Sequence, residues 1–265
     1  MTVLQALALG LFQGVAEFLP ISSSGHLLLL KDLMSLSEVP VLFDVLLHLA
    51  TLLSIVVVFR KRVAGIIVSC ARFVARKHTD ADAENLAIVV PALVATVVTG
   101  VVGLALDRFD FSGMTKLVSG LLIATGAILV GSSLLPQGST GYTGLKPRHG
   151  LLIGLAQGIG VLPGISRSGI TIGGGLAAGL KRQEAGEFAF LLAIPAILGA
   201  LLLKLKDLDQ LSGAVEALPM AVSALAAFAA GVAALLVLMP IVRKGKLAWF
   251  AAYLVPAGVL GLLFL

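Results

Sequence analysis

Long apolar stretches, separated by short polar connections, make up most of the chain. Because a helix needs about 20 residues to cross a bilayer, their lengths predict about six transmembrane helices. We place these helices at Val41–Phe59, Leu86–Leu106, Met114–Leu135, Phe188–Leu203, Pro219–Met239 and Trp249–Leu265. The longest polar stretch is a basic segment from Arg60 to Glu84, and it is too short for a separate domain. The hydrophobic pattern therefore predicts one all-α, polytopic membrane domain over residues 1–265.

Two further apolar segments are too short to cross a bilayer comfortably, and each runs into polar sequence. Met1–Phe18 ends near Pro20 and is followed by a second short helix, Gly25–Met34, with serines as its N-caps. The second half repeats this order with the helix Gly150–Val161, the polar turn Leu162–Thr171 and the short helix Ile172–Leu180. Each pair predicts a re-entrant helical hairpin. A single kinked transmembrane helix is the alternative, because membrane helices accommodate proline.

The two hairpins carry the same sequence pattern. When the chain is displaced by 144 positions, residues 10–25 lie over residues 154–169 without a gap, and eight of the sixteen positions are identical. Each repeat, 1–135 and 149–265, contains one hairpin and three spans. Because three is odd, the second repeat enters the membrane from the opposite side. This predicts an inverted-topology repeat whose two broken turns meet near the midplane, where such proteins place their binding sites.

The amino-acid composition supports a membrane protein and argues against several other classes of protein. Only 12% of the residues are charged and 58% are hydrophobic, whereas soluble domains carry about 25% charged residues. The net charge of +5 is not organised into a basic face with interleaved aromatics, so we expect no nucleic-acid partner. A single cysteine, Cys70, excludes an intramolecular disulfide, and no Cys/His metal pattern occurs. The apolar N-terminal run lacks a basic region before it, so no cleaved signal peptide is expected.

Lysine and arginine fall mainly on one side of the predicted topology. The rich side holds the segment 60–77, Lys146, Arg148, Lys181, Arg182, Arg243, Lys244 and Lys246. The poor side holds Lys31, Arg108, Lys116, Lys204 and Lys206. The positive-inside rule then predicts that the rich side is cytoplasmic and that both termini are outside.

The second broken turn has the composition of an anion site. Arg167 lies between Ser166 and Ser168, with Thr171 one helical turn later. A guanidinium offers a bidentate fork that suits phosphate, and the start of a helix adds backbone N–H groups. The alternative is that Arg167 only neutralises Glu17, since charges within membranes usually pair.

The first broken turn supplies groups that could react with a phosphate. Its three candidate nucleophiles are Ser22, Ser23 and Ser24, each weak unless a base lies alongside. Glu17 and His26 are the available bases, and Glu17 could instead hold a divalent cation. Gln13 lies one helical turn before Glu17, where it can donate or coordinate. The alternatives are that the serines cap the helix and that His26 is a hydrogen-bonded buried histidine.

Three other polar residues within apolar sequence carry weaker signals, namely Asp44, His48 and Glu187. Asp44 and Glu187 lie near the starts of corresponding spans. Either carboxylate could orient the turns, but one near a helix N-terminus needs no further role, and we prefer that interpretation.

Three motifs resemble those of the bacterial undecaprenyl-diphosphate phosphatase family, also called bacitracin-resistance proteins. They are residues 13–26 (QGVAEFLPISSSGH), residues 163–171 (PGISRSGIT) and residues 187–195 (EFAFLLAIP). The resemblance covers the whole length in order. It implies a multi-pass enzyme of the bacterial inner membrane that hydrolyses undecaprenyl diphosphate to undecaprenyl phosphate and inorganic phosphate. It also implies a divalent cation, Mg²⁺ or Ca²⁺, an active site open to the periplasm, and roles in peptidoglycan synthesis, cell shape and bacitracin resistance.

The resemblance also assigns roles to individual residues. It implies four catalytic residues, which are Glu17, Ser23, His26 and Arg167. From the composition of the two turns we add six expected substrate-binding residues, namely Ser22, Ser24, Ser166, Ser168, Thr171 and Gln13. Many members carry Glu where this chain has Gln13, so Glu17, the expected metal ligand, is the only anionic one nearby. Ser23 is our leading nucleophile, with Glu17 or His26 as base; attack by His26 or directly by water is the competing mechanism.

Other functions fit parts of the sequence. Inverted repeats with broken helices are also transporter architecture, so a transporter or flippase of a polyprenyl phosphate is the alternative function. The Ser, Glu and His beside the arginine favour the enzyme, because transport needs no nucleophile. Ser24-Gly25-His26 resembles one PAP2-type lipid phosphatase motif, but the other motifs of that family are absent. The expected partner is a polyprenyl diphosphate in the membrane, and a homodimer is one expected assembly.

Overall fold

The computed structural model describes residues 1–27, 41–106, 108–109, 111, 114–204 and 216–264. These residues are mostly helical and form no β-strand, although Thr140 and Leu180 pair in an isolated bridge. The α-helices are α1 (Val3–Phe18), α2 (Val41–Val58), α3 (Arg60–Val74), α4 (Ala83–Leu106), α5 (Thr115–Leu134), α6 (Pro147–Ile159), α7 (Arg167–Ala177), α8 (Arg182–Lys204), α9 (Ala217–Arg243) and α10 (Ala251–Phe264). Residues 23–27 are also helical. Short 3-10 helices occur at Asp80–Asp82, Tyr142–Gly144 and Leu247–Phe250.

Five helices in the described part of the chain are long and apolar enough to cross a membrane, namely α4, α5, α8, α9 and α10. A sixth span is possible where α2 and α3 meet, because this pair passes the same test but bends by 81° between Val58 and Arg60. Helix α1 is apolar but shorter, as predicted. The prediction of an all-α polytopic membrane protein with about six spans is confirmed.

Several predicted bounds differ from the structure. Helix α8, for example, begins at Arg182, six residues before the predicted start of that span at Phe188. Arg60–Val74, for which the sequence predicted only a basic segment, is a helix, and Ser69 anchors it by donating to Asp82 Oδ1 at 2.8 Å. The helix of the second hairpin begins at Arg167, five residues before the predicted start at Ile172. Ser166 causes the early start, since its Oγ accepts a hydrogen bond from the Gly169 N–H at 3.2 Å and so caps the helix.

Some predictions fall outside the described residues. The predicted helix Gly25–Met34 is described only as far as Leu27. Within the predicted turn Asp107–Gly113, only residues 108, 109 and 111 are described. Lys31 and Lys206, which belong to the predicted lysine-poor side, also lie outside them.

The first helix of each hairpin packs on a span from the other half of the chain. Helix α1 packs mainly on α9, and α6 packs mainly on α4. The last helices of the two halves, α5 and α10, pack on each other, and so do α2 and α8. Equivalent helices therefore make equivalent contacts, as expected of two repeats that exchange elements. The repeat boundaries at 1–135 and 149–265 stay a prediction.

Paired glycines allow these exchanged helices to approach closely. A Cβ on Gly14 of α1 would lie 2.7 Å from the Cβ of Ala230 in α9, and one on Gly154 of α6 would lie 2.7 Å from the Cα of Ala95 in α4. Gly10 and Gly158 complete the same four-residue spacing in the two repeats. Small residues at this spacing let membrane helices pack backbone against backbone. Close packing thus explains why glycine recurs at equivalent positions of the two repeats.

Gly14→Ala is expected to lower stability, because the added methyl group must push α1 away from α9. Overpacking of this kind costs about 1–3 kcal/mol. The matched control is Gly100→Ala, since a Cβ there meets nothing within 4 Å. Thermal unfolding in detergent measures both variants. Equal melting temperatures for the two would contradict the close approach of α1 and α9.

The main buried cluster surrounds the inner ends of the hairpins. It includes Phe18 of α1, Ile172 of α7 and both Phe188 and Phe190 of α8. The polar turns are therefore held against a packed core, which fixes their position.

Candidate active site

The two broken turns touch each other in the buried interior. Gly164 of the second turn donates its N–H to Ser22 Oγ of the first turn at 3.1 Å. Thr125 of α5 holds the second turn, because its Oγ1 donates to the Gly164 carbonyl and accepts from the Ser166 N–H. Ser22 has φ of 69°, in the left-handed region that residues with a side chain rarely adopt. The packed turns thus impose an unusual backbone at the centre of the molecule.

Glu17 joins the two turns chemically. Its Oε2 accepts hydrogen bonds from Ser23 Oγ at 2.9 Å and from Gln13 Nε2 at 3.0 Å. Its Oε1 forms an ion pair with Arg167 Nη2. Only 6% of Glu17 is exposed, so these donors replace the water that a buried carboxylate requires. The Glu17 carboxylate therefore contacts the Ser23 hydroxyl and the Gln13 amide of the first repeat and the Arg167 guanidinium of the second.

His48 of α2 is part of the same group, which the sequence interpretation ranked too low. Its Nδ1 lies 3.2 Å from Glu17 Oε2 and 3.0 Å from Gln13 Nε2. The signal was present in the sequence, because an ionisable residue within an apolar span is a functional candidate by default. Spacing alone could not show that α2 brings it to Glu17.

His26 makes contacts of a different kind. Its Nδ1 lies 2.9 Å from the Ser22 carbonyl, so that nitrogen carries the proton and donates. Its Nε2 lies 2.7 Å from the hydroxyl of Tyr253, and the two rings stack with centroids 5.6 Å apart. Among the described residues, then, His26 is bonded to Ser22 and Tyr253 rather than to Glu17. Tyr253 was not found from the sequence, because it lies in the last helix with no motif around it.

The other predicted binding residues have varied surroundings. Ser166 and Ser168 place their Oγ atoms 3.1 Å apart, and Ser166 also caps α7. Thr171 donates to the Arg167 carbonyl at 2.6 Å, a bond within the helix. Ser24 is exposed, next to the buried Gly25. The hydroxyls of the second turn thus stabilise the helix start that presents Arg167.

A small cavity lies beside the ion pair. It is lined by Glu17, Phe18, Gln157, Arg167, Ser168, Thr171, Ala189, Phe190 and Ala193. Its volume of about 10 Å³ is room for about one water. The cavity is therefore too small for a phosphate group in this conformation. In this state the Glu17 carboxylate occupies the anion position on the guanidinium.

The oxygen atoms near Glu17 could contribute to a divalent-cation site. Within the described residues, no group of three or more His, Cys, Asp or Glu could hold a metal ion. Gln13 Oε1 is buried and has no hydrogen-bond partner among the residues that the structure describes. Mg²⁺ commonly takes one or two carboxylates together with substrate phosphate oxygens. The residues therefore fit a cation shared with the substrate, and not a complete protein site.

Glu187 has a role that differs from the predicted one. It lies beyond the first turn of α8 and pairs with Arg62 Nε at 2.8 Å. Arg62 also pairs with Glu84 at 2.8 Å and lies over the ring of Tyr142 at 4.7 Å. Burial, followed by the Glu187 carboxylate, raises the pKa of Tyr142 above its usual value, so this phenol stays neutral. Asp44, by contrast, lies in the first turn of α2, as preferred from the sequence.

Known proteins are similar to this chain over nearly its whole length. A family model described as "Bacitracin resistance protein BacA" matches residues 6–260. A protein of Treponema denticola named undecaprenyl-diphosphatase is 44% identical over 259 residues, covering 98% of this chain and 96% of the relative. Proteins of the same name are 40% identical in Desulfosudis oleivorans, covering 96% of this chain and 95% of the relative, and 39% identical in Carboxydothermus hydrogenoformans, covering 98% and 96%.

Proposed function

The chain belongs to the bacitracin resistance protein BacA family and is an undecaprenyl-diphosphatase; we propose that it uses the Glu17–Arg167 site for this reaction. The products are undecaprenyl phosphate and inorganic phosphate, so the enzyme recycles the lipid carrier of cell-wall synthesis. The observation that carries the site is the Glu17 carboxylate, which bonds Ser23 of one repeat and Arg167 of the other. A nucleophile, its base and an anion clamp are thereby within reach of one diphosphate.

Arg167 binds the diphosphate in this mechanism. Its guanidinium presents parallel N–H donors that match phosphate oxygens, and it lies at the start of α7, where backbone N–H groups favour negative charge. When the substrate takes the anion position, Glu17 leaves Arg167 and becomes available as a base. The ion pair therefore keeps the clamp in place between turnovers.

Ser23 attacks the terminal phosphorus, and Glu17 accepts its proton. The hydrogen bond of 2.9 Å from Ser23 Oγ to Glu17 Oε2 already has the geometry that this transfer requires. The new Ser23 O–P bond forms as the bond to the bridging oxygen breaks, and undecaprenyl phosphate leaves. Glu17 then releases the serine proton to solvent and is a carboxylate again. It accepts a proton from the water that attacks the phosphoserine, and it returns this proton to Ser23 Oγ as the Ser23 O–P bond breaks and inorganic phosphate leaves. His26 would need to give up its contact with Ser22 or Tyr253 before it could attack in place of Ser23.

Phosphate release tests the function directly. The purified protein in detergent is expected to release one inorganic phosphate for each undecaprenyl diphosphate consumed, and to leave undecaprenyl phosphate. Binding of the lipid without release of phosphate would contradict hydrolysis and favour a polyprenyl phosphate transporter.

A divalent cation, Mg²⁺ or Ca²⁺, is part of the proposal. Glu17 and Gln13 Oε1 would hold it together with phosphate oxygens of the substrate. When bound, the cation neutralises phosphate charge and stabilises the leaving group. Gln13 offers this site an oxygen but no charge, so the affinity depends mainly on Glu17 and the substrate.

Removal of the cation with EDTA is expected to lower phosphate release on the order of a hundredfold. Gln13→Glu is expected to lower the Mg²⁺ concentration for half-maximal rate, because a second carboxylate is added beside Glu17. Mg²⁺-dependent thermal stabilisation, measured with a non-hydrolysable diphosphate, gives a readout without turnover. Gln137→Glu, at an exposed position outside both this group and the larger cavity, is the control and should change neither quantity. Unchanged rates in EDTA would contradict the cation requirement.

The remaining parts of the proposal concern location and assembly. We place the protein in the bacterial inner membrane, with the lysine- and arginine-rich side in the cytoplasm and the active site open to the periplasm. In a Cys70→Ser background, a cysteine at Thr2 should react with a membrane-impermeant maleimide in intact cells. A cysteine at Lys77 should react only after permeabilisation, and the reverse pattern would contradict this orientation.

The homodimer stays a prediction, which the mass of the detergent-solubilised protein would test.

A further inference from the structure

A second and much larger cavity lies where α2, α3, α8 and α9 converge. Its volume is about 680 Å³, within the range of ligand sites. The polar part of its lining consists of Arg60, Lys61, Arg62, Asn85, Gln183, Glu187 and Arg243. The apolar part consists of Val58, Phe59, Leu235, Leu236 and Met239, with Gly65 completing the wall. None of these residues belongs to the Glu17 group.

Charge within this basic cavity is not balanced. Arg62 is neutralised by Glu187 and Glu84, each at 2.8 Å. Arg60 donates to the Val57 carbonyl but forms no ion pair within the described chain. Lys61 and Arg243 form neither an ion pair nor a hydrogen bond with any residue that the structure describes. A concave wall with three uncompensated cations concentrates positive potential and attracts anions.

The apolar part of the cavity lining indicates that the bound anion is amphiphilic. Leu236 is 61% exposed on α9, a helix long and apolar enough to span the membrane. Cationic groups thus stand beside side chains that face hydrocarbon in a bilayer. A free anion would use only the cations, whereas an amphiphile would cover both surfaces. Basic pockets between transmembrane helices bind lipid headgroups in this way.

A pair of stacked phenylalanine rings divides this cavity from the active site. Phe59 lines the basic cavity and Phe190 lines the small cavity beside Glu17, and their ring centroids lie 6.0 Å apart. Phe190 also contacts Phe18 edge-on, with ring centroids 5.8 Å apart, so a third aromatic ring lies between the basic cavity and Glu17. A ligand in the basic cavity therefore does not occupy the place of the reacting diphosphate.

We propose that the basic cavity binds the phosphate headgroup of a lipid, with the phosphate between Lys61 and Arg243 and the chain along the exposed side chain of Leu236. The ligand class is a phosphate carried on an apolar chain. Two sources share this chemistry, namely an anionic glycerophospholipid and a polyprenyl monophosphate.

Lipid binding to the purified protein, measured by native mass spectrometry without turnover, tests the site. Lys61→Gln with Arg243→Gln is expected to weaken binding of phosphatidylglycerol or undecaprenyl phosphate by about tenfold to thirtyfold. Lys77→Gln with Lys244→Gln removes the same charge from exposed positions outside the cavity and should leave binding within about twofold. Equal losses in both double variants would overturn the proposal, because they would indicate a diffuse surface effect.

Separate ligands distinguish the sources. Tight binding of phosphatidylglycerol alone, of undecaprenyl phosphate alone, or of both supports the site and identifies its occupant. Displacement by inorganic phosphate at the same concentration would overturn the lipid assignment, and so would equal affinity for zwitterionic phosphatidylcholine. A photoreactive form of the bound lipid should label peptides of α9 around Leu236, and labelling confined to other helices would contradict the location. Since no hydrolysis is measured, failure here leaves the proposed reaction untouched.

Discussion

Arg167→Ala is expected to lower the rate of phosphate release by about a thousandfold or more. Arg167 is the cation that the second turn brings to Glu17, and it lies at the start of α7. A diphosphate that displaces Glu17 binds to the same N–H donors of the guanidinium. Negative charge on the departing phosphate rises as the bridging bond breaks, and Arg167 stabilises that charge. The measurement is kcat and KM for phosphate release from undecaprenyl diphosphate in detergent with saturating Mg²⁺. The loss should appear in kcat as well as in KM, because the guanidinium binds the transition state more strongly than the substrate.

Two controls separate charge, geometry and folding in this experiment. Arg167→Lys keeps the charge but not the bidentate fork, so it should recover only part of the rate. Arg148→Ala removes an exposed cation at the start of α6 and should leave the rate within about twofold. Because alanine at 167 leaves Glu17 buried without its cation, thermal unfolding must accompany each rate. A folded Arg167→Ala protein with the parental rate would contradict the whole site.

The pairing of Arg167 with the first turn was predictable because it follows from the internal repeat. Displacement by 144 positions places Arg167 opposite Ser23, and the two-fold axis predicted for an inverted repeat would bring equivalent turns together. The structure adds that Glu17, six residues before Ser23 and near the end of α1, bonds both residues. The spans were predictable for a similar reason, since their bounds depend on apolar length, which hydrocarbon thickness fixes.

Residues without a local signature could not be placed from the sequence. His48 and Tyr253 reach the site through the packing of α2 and α10, and neither lies in a motif. The ion pair of Arg62 with Glu187 joins positions 125 residues apart, and Arg62 lies in a segment for which only basic character was predicted. Contacts of this kind depend on how helices pack, which neither periodicity nor composition records. The early start of α7 is different, because the capping pattern at Ser166 was visible and its effect on the helix boundary was underestimated.

Ser23→Ala is expected to lower phosphate release by about a thousandfold and to abolish a phosphorylated enzyme intermediate. Ser23 Oγ donates to Glu17 Oε2 at 2.9 Å, so the pair already has the arrangement of a nucleophile with its base. Glu17→Gln should cause a loss of similar size, because an amide cannot accept the proton. Rapid-quench kinetics with a labelled terminal phosphate measures both the rate and the intermediate. Parental activity in Ser23→Ala would contradict serine attack and favour His26 or water.

Comparison of the single and double variants decides whether Ser23 and Glu17 act as one unit. If they do, the protein with both changes should be no slower than the slower single variant, because residues that share one step are strongly non-additive. His26→Asn provides the contrast, since His26 is bonded to Ser22 and Tyr253 and is expected to affect the turn more than the proton transfer. Its loss should therefore be smaller, on the order of tenfold, and should add to that of Glu17→Gln. A His26→Asn loss that equals the Ser23→Ala loss and does not add to the loss from Glu17→Gln would instead make the histidine the partner of Glu17 in the chemical step.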